Sequence, residues 1–222
     1  MNLYRASRAN FPSLLRKKGG FLAQVYGILA FEIAIMAITE MLLRNHLVIN
    51  KKLQKFWFLW FILSLMLVVG ISMTSRISPP VSLLLFTAFA ITMGILSIPT
   101  SQLVSANSLK VAMIATALVF VTLSIVGGLL ISAGIDLSFL TFTLFAALIG
   151  LIVVFTVMMF VPVSKTTHKV VLGFAIVLFS IYIAFDTNLM LQKRYTDPID
   201  AAVNLFLDII NIFTDILAFD ST

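Results

Sequence analysis

Apolar runs of about twenty residues recur along the whole chain, each cut off by a short polar or proline-bearing stretch. A run of that length with almost no charge reads as a helix that crosses a bilayer. The pattern predicts seven such spans, at about 21–43, 56–74, 81–96, 111–134, 140–161, 170–192 and 198–219. Arg76 closes the second, and Pro79-Pro80 forces a break after it, because the residue before a proline is pushed out of helix. Pro99 and Pro162 are read as stops for the third and fifth spans. The seventh has the clearest start: Asp197 suits the N-cap, Pro198 the first helical position, and Asp200 the positive end of the helix dipole. Ala90-x-x-x-Gly94 and Ala146-x-x-x-Gly150 are small-residue pairs that let helix backbones approach closely. No internal repeat is visible.

Ahead of the first span, residues 1–20 read as a polar, basic arm carrying Arg5, Arg8, Arg16, Lys17 and Lys18. Residues 21–222 read as one transmembrane domain. Composition agrees: of 222 residues, 61% are hydrophobic and only 11% charged, against about 25% charged in soluble domains. The expected fold class is therefore an all-α membrane protein, and the expected partner is the lipid bilayer. Its place would be a multi-pass one, in a bacterial inner membrane or in endoplasmic reticulum or Golgi if the source is eukaryotic or viral.

The net charge of +6 does not point to nucleic acid, because many of the basic residues flank apolar runs, where they hold helix ends and touch anionic lipid. Lys51, Lys52, Lys55, Trp57 and Trp60 form such an interfacial belt. Orientation is close to a tie. Arg5, Arg8, Arg16, Lys17, Lys18, Arg76, Lys193 and Arg194 fall on the N-terminal side, and Arg44, Lys51, Lys52, Lys55, Lys110, Lys165 and Lys169 on the other. The arm tips this towards a cytoplasmic N-terminus. The chain has no cysteine, which excludes disulfides, thiol catalysis and cysteine metal sites. The first apolar run is too long for the core of a cleavable signal. No nucleophile triad, zinc-protease motif, phosphate loop or dinucleotide fingerprint is present, so neither an enzyme nor a cofactor is expected.

The candidate chemistry lies in acids within the spans, where a carboxyl group marks an ion or proton pathway by default. Asn204, Asp208, Asn211 and Asp215 recur at i, i+4, i+7 and i+11, so they share one narrow stripe of the seventh helix. The stripe is either a hydrogen-bonded packing seam or the wall of a water-filled path. Asp186 sits in the sixth helix with Tyr182 one turn before it, placed for the phenol to bond the carboxylate. Asp186 and Asp208 each lie about eleven residues from the middle of the turn joining the last two helices, so an antiparallel hairpin brings them to one depth. Two neighbouring carboxylates in low dielectric do not both ionise comfortably, so the pair is expected to titrate as a unit. It would serve as a proton sensor and as an oxygen-ligand site for a hard cation such as Ca²⁺. Arg76 is either an end-of-helix anchor or a counter-ion reaching back to one of the acids. Glu32, in mid-span of the first helix, is an accessory acid that makes a packing hydrogen bond or lines a cavity. His46 and His168 are placed in loops.

The runs I-Y-I-A-F-D-T-N-L-M around Asp186 and N-L-F-L-D-I-I-N-I-F around Asp208 resemble the Bax inhibitor family, also called the transmembrane Bax inhibitor motif family. That family's pattern is an apolar run, D-x-N/Q, a turn, then L-Y/F-L-D-x-I-N-L-F. The third span supports it with F-T-A-F-A-I-T-M-G-I-L-S from Phe86. The resemblance implies seven helices with the C-terminal one central, and a pH-sensitive Ca²⁺ leak. In that picture the sensing aspartates are similar to Asp186 and Asp208, and a latch arginine is similar to Arg76. Protons and Ca²⁺ would then be the ligands. Eukaryotic members are linked to suppression of cell death, and some bacterial members modulate a membrane protease, so restraint of another membrane protein is the alternative role. Glu32 matches no family feature, Asp215 extends the stripe by a turn, and the chain ends Asp220-Ser221-Thr222 without the basic tail of some members.

Overall fold

The computed structural model describes residues 11–46, 53, 55–192 and 195–221. Among these residues regular structure is helical throughout, with seven helices long and apolar enough to cross a membrane. They are α1 Phe11–Arg44, α2 Trp57–Thr74, α3 Pro79–Gln102, α4 Ala106–Ser132, α5 Thr141–Phe160, α6 Lys165–Leu191 and α7 Pro198–Ser221. A short 3₁₀ turn, Leu137–Leu140, precedes α5. Even α2, with 18 residues, rises about 27 Å, close to the thickness of a bilayer's hydrocarbon core. Only 11% of the apolar window of α2 or of α5 is buried within the chain. Leu65, Met66, Val69, Phe142, Phe145 and Phe160 point outward instead, as they must if lipid covers them. The chain is a multi-pass integral membrane protein.

Several boundaries differ from the sequence pattern. Residues 11–20 are already helical and continue the first span. Arginine, lysine and leucine are good helix formers. Arg5, Arg8, Lys51, Lys52, Lys193 and Arg194 lie outside the described residues. Pro79-Pro80 opens α3 as well as ending α2. Pro99 lies inside α3, three residues from its end, where it forfeits one bond of the last turn and leaves the helix running. α6 starts at Lys165, capped by the Ser164 hydroxyl, which accepts from Thr167 N–H at 3.0 Å. That places His168 on a helix; His46 stays in a loop. The α7 start is as the pattern predicts, with Asp197 Oδ1 accepting from Ile199 N–H at 2.6 Å.

The chain forms two compact units. One comprises Gly20–Ser105 with Thr196–Phe206. In it α2 packs on α3, and α3 meets α1 at Gly94, where a Cβ would stand 2.7 Å from the Met36 carbonyl oxygen. The ends of α1 and α3 cap each other. Arg44 donates to the Ser101 carbonyl at 2.7 Å, and Gln102 donates to the Arg44 carbonyl at 2.9 Å. These bonds satisfy carbonyls that a helix C-terminus leaves open. Phe86 and Phe89 of α3 meet the Phe206 ring edge-on in the core.

The other unit comprises Ala106–Tyr195 and Leu207–Thr222, with the start of α1. Its core gathers Leu144, Leu151, Ala175, Phe179, Ile183 and Ile212. α4 packs on α6 at Gly127, where a Cβ would run into the Ala184 carbonyl; one on Gly128 would meet the Phe11 ring. This glycine pair, rather than Ala146 and Gly150, sets the close approach. A Cβ on Gly150 meets nothing within 4 Å. Spacing alone does not say which face of a helix is buried, and that pair sits on the outward face of α5.

Candidate functional site: a buried carboxyl pair

The second unit holds the acids of the two motifs. α6 carries Asp186 and α7 carries Asp208; they are 7% and 5% exposed. Their carboxyl groups stand close enough to share a hydrogen bond, as the hairpin count requires. A hydrogen bond between two carboxyl groups needs a proton on one of them. Asp208 Oδ2 is buried with no hydrogen-bond partner among the described residues.

The phenol on Asp186 comes from a different residue than the i, i+4 spacing predicts. Tyr195, in the turn after α6, donates to Asp186 Oδ1 at 3.0 Å. Tyr182 instead lays its ring against Phe179 and Phe185 of its own helix. A spacing rule sees only neighbours on one helix, and the turn brings its tyrosine back from outside it.

Behind Asp186, a polar network holds α6 in place. Residues two apart on a helix point to nearly opposite sides, so Asn188 faces away from Asp208. Its amide is fully buried and uses its whole hydrogen-bonding capacity. Nδ2 donates to the carbonyls of Gly127 and Ile135 at 3.1 Å each. Oδ1 accepts from Leu137 N–H at 3.0 Å and from Gln192 Nε2. Gln192 also donates to Asp136, whose carboxylate caps the 3₁₀ turn. Gly134, with φ of 84°, supplies the left-handed residue that lets the α4–α5 connection fold back onto α6. One turn past Asp186, Lys18 donates to the Met190 carbonyl at 3.2 Å. Asn188 is the amide of the D-x-N/Q pattern, which gives it no role of its own, and Lys18 reads in the sequence only as part of the basic arm.

The remaining candidates are found as follows. Asp215 is seven residues further along α7, about 10 Å along the axis, and its buried Oδ2 has no partner among the described residues. Asn204 and Asn211 are half-buried on the same helix. Glu32 belongs to the first unit, fully buried, where Thr87 donates to its Oε1 at 2.9 Å and Oε2 is unpartnered. Arg76, also in the first unit, is exposed in the turn between α2 and α3. Among the described residues no three histidine, cysteine, aspartate or glutamate side chains gather as a metal site. Asp186 and Asp208 offer carboxylate oxygens of the kind Ca²⁺ takes, but Ca²⁺ takes six to eight oxygens, so the pair suits a passing ion better than a resident one.

These features define a seven-span helical membrane protein with paired acids inside its last hairpin. The chain matches the family described as "Inhibitor of apoptosis-promoting Bax1" over residues 18–219, and it belongs to that family. It is 29% identical over 219 residues to Protein LIFEGUARD 4 of Arabidopsis thaliana, covering 95% of this chain and 89% of that protein. It is 42% identical over 103 residues to the BI1-like protein of the same plant, 43% of this chain and 40% of that one. A Helicobacter pylori protein described as uncharacterized is 33% identical over 149 residues, 65% of this chain and 63% of that protein.

Proposed function

We propose that the protein is a pH-sensitive cation leak, with Ca²⁺ as the ion and the Asp186–Asp208 pair as sensor and part of the path. The observation that carries this is the pair itself: two carboxyl groups side by side in membrane-spanning helices, with one oxygen left unpartnered. An intramembrane acid is costly unless it works on protons or ions, and two carboxylates can neutralise a dication. Asn204, Asn211 and Asp215 extend the polar side of α7 along the proposed path.

The sign of the pH effect follows from charge. As pH falls, a second proton enters the pair and removes its remaining negative charge, and any cationic latch it held is released. Flux therefore rises with acid. A switch from 1:99 to 99:1 takes about 5.5 kcal/mol. One proton bound about a hundredfold more tightly in the open state supplies about 2.7 kcal/mol, so the response is graded. Ca²⁺ flux into liposomes containing only this protein, from about pH 8 to pH 6, tests the reading. Wild-type flux that falls with acid removes it. Arg76→Ala tests the latch role that the resemblance implies: it is expected to conduct at neutral pH and to lose most of its pH response.

The description of the family as an inhibitor of apoptosis-promoting Bax1 favours a second reading, in which the protein restrains another membrane protein such as a cell-death regulator. Absence of flux from the purified protein, with a partner captured in native membranes, favours that reading.

A further inference from the structure

The turn between α6 and α7 contributes one side chain to the pair that the leak reading does not use. Tyr195 lies outside both helices, half-buried, and its hydroxyl donates to Asp186 Oδ1 at 3.0 Å. The other acid is different: Asp208 Oδ2 is buried without a hydrogen-bond partner among the described residues. One oxygen of the pair is thus buried with no hydrogen bond among the described residues, and one accepts from a phenol.

We propose that Tyr195 is a built-in competitor for the cation: its hydroxyl holds the Asp186 oxygen that an ion needs, and the turn must withdraw it before both carboxyl groups can grip one ion. This rests on the pair being a cation site. The phenol and the cation exclude each other for a simple reason. A donor hydrogen and a cation seek the same lone pair, and a hydrogen bond to a charged group is worth enough to compete. Tyr195 is also suited to withdrawal. Tyr195 and Thr196 lie outside both helices, whereas the helix that carries Asp186 is fixed from behind by Asn188. Tyr195 would set how tightly the ion is held, and so the concentration at which the leak half-saturates, without touching its maximal rate.

The test is equilibrium binding of radioactive Ca²⁺ to the purified full-length protein in detergent, with flux into liposomes as a second reading. Tyr195→Phe keeps the ring and removes the hydroxyl. It is expected to bind Ca²⁺ about tenfold more tightly, from the loss of one charge-assisted hydrogen bond, and to half-saturate at a correspondingly lower concentration with an unchanged maximum. Tyr182→Phe, which removes a hydroxyl and keeps the ring set against Phe179 and Phe185, is expected to bind as the wild type does. Infrared spectra give a third reading that a general loosening would not reproduce: Tyr195→Phe should shift the carboxyl stretch that Asp186→Asn abolishes. Binding by Tyr195→Phe equal to or weaker than wild type, no binding by either protein, or an unmoved carboxyl band overturns the proposal. If flux persists while Tyr195→Phe binds like wild type, the leak stands and the competitor falls. Tighter binding with no flux in any variant leaves the competitor standing and removes the leak.

Discussion

Glu32 and the Asp186–Asp208 pair are buried acids in membrane-spanning helices, and they are served differently. Glu32 has one neutral donor, the Thr87 hydroxyl. The aspartates have each other, a phenol, and a network that fixes the Asp186 helix from behind. Each site leaves one carboxyl oxygen without a hydrogen bond among the described residues. The difference lies in charge capacity. A glutamate beside a threonine can hold a proton or a single charge, but it leaves a dication half neutralised. Two carboxylates can reach neutrality with a dication, and they can trade it for protons. Burial of an acid is therefore a weak guide to function here, and the presence of a second acid at the same depth is the stronger one.

The largest expected effect separates the two sites by flux. Replacing Asp186 and Asp208 together by Asn should reduce the change in Ca²⁺ flux between about pH 8 and pH 6 from as much as a hundredfold to under about twofold. Glu32→Gln, measured in the same liposomes, should keep the wild-type response within about twofold, since Gln still accepts from Thr87. A Glu32→Gln protein that loses its pH response would erase the distinction between lone and paired acids.

A second, smaller contrast concerns what supports each acid. Asn188→Leu strands two carbonyl oxygens and an amide N–H in a buried place, at about 1–3 kcal/mol for each group. A loss of at least about 3 kcal/mol is expected, read as thermal unfolding in detergent. Thr87→Val removes one donor from Glu32 and should lower stability by only about 1–2 kcal/mol. Equal losses would mean that the Asn188 network holds its helix no more firmly than a single hydroxyl does.

Much of this arrangement could be read from the chain. The seven spans follow from apolar runs between charges and prolines, and the start of α7 from Asp197 and Pro198. Counting outward from the turn placed Asp186 and Asp208 at one depth, because an antiparallel hairpin leaves little freedom in that respect. The failures share a cause. Tyr195, Gly127 and Asn188 act on segments far along the chain or outside their own helix, and a period of 3.6 residues carries no record of which neighbour lies opposite. Ala146 and Gly150 had the right spacing on the wrong face. Pro99 looked like a stop, but a proline near a helix end sacrifices so little that the helix continues. Arg16, Lys17 and Lys18 looked like a solvated lead-in because charge was taken as a boundary, although a lysine can bury its stem and find a carbonyl at its tip.

That last residue has a consequence for anyone who shortens the chain. A start at Phe21 would seem to spare every span and discard only a basic leader. It would also strip the ammonium from the Met190 carbonyl and the Phe11 ring from its seat against Gly128. The last turn of α6, one turn beyond Asp186, would be left with the Gln192 N–H shared among three carbonyls, and it would fray more readily towards the acid. Such a truncated protein should show a shifted Asp186 carboxyl band in its infrared spectrum although the apolar stretch of α1 remains in its sequence.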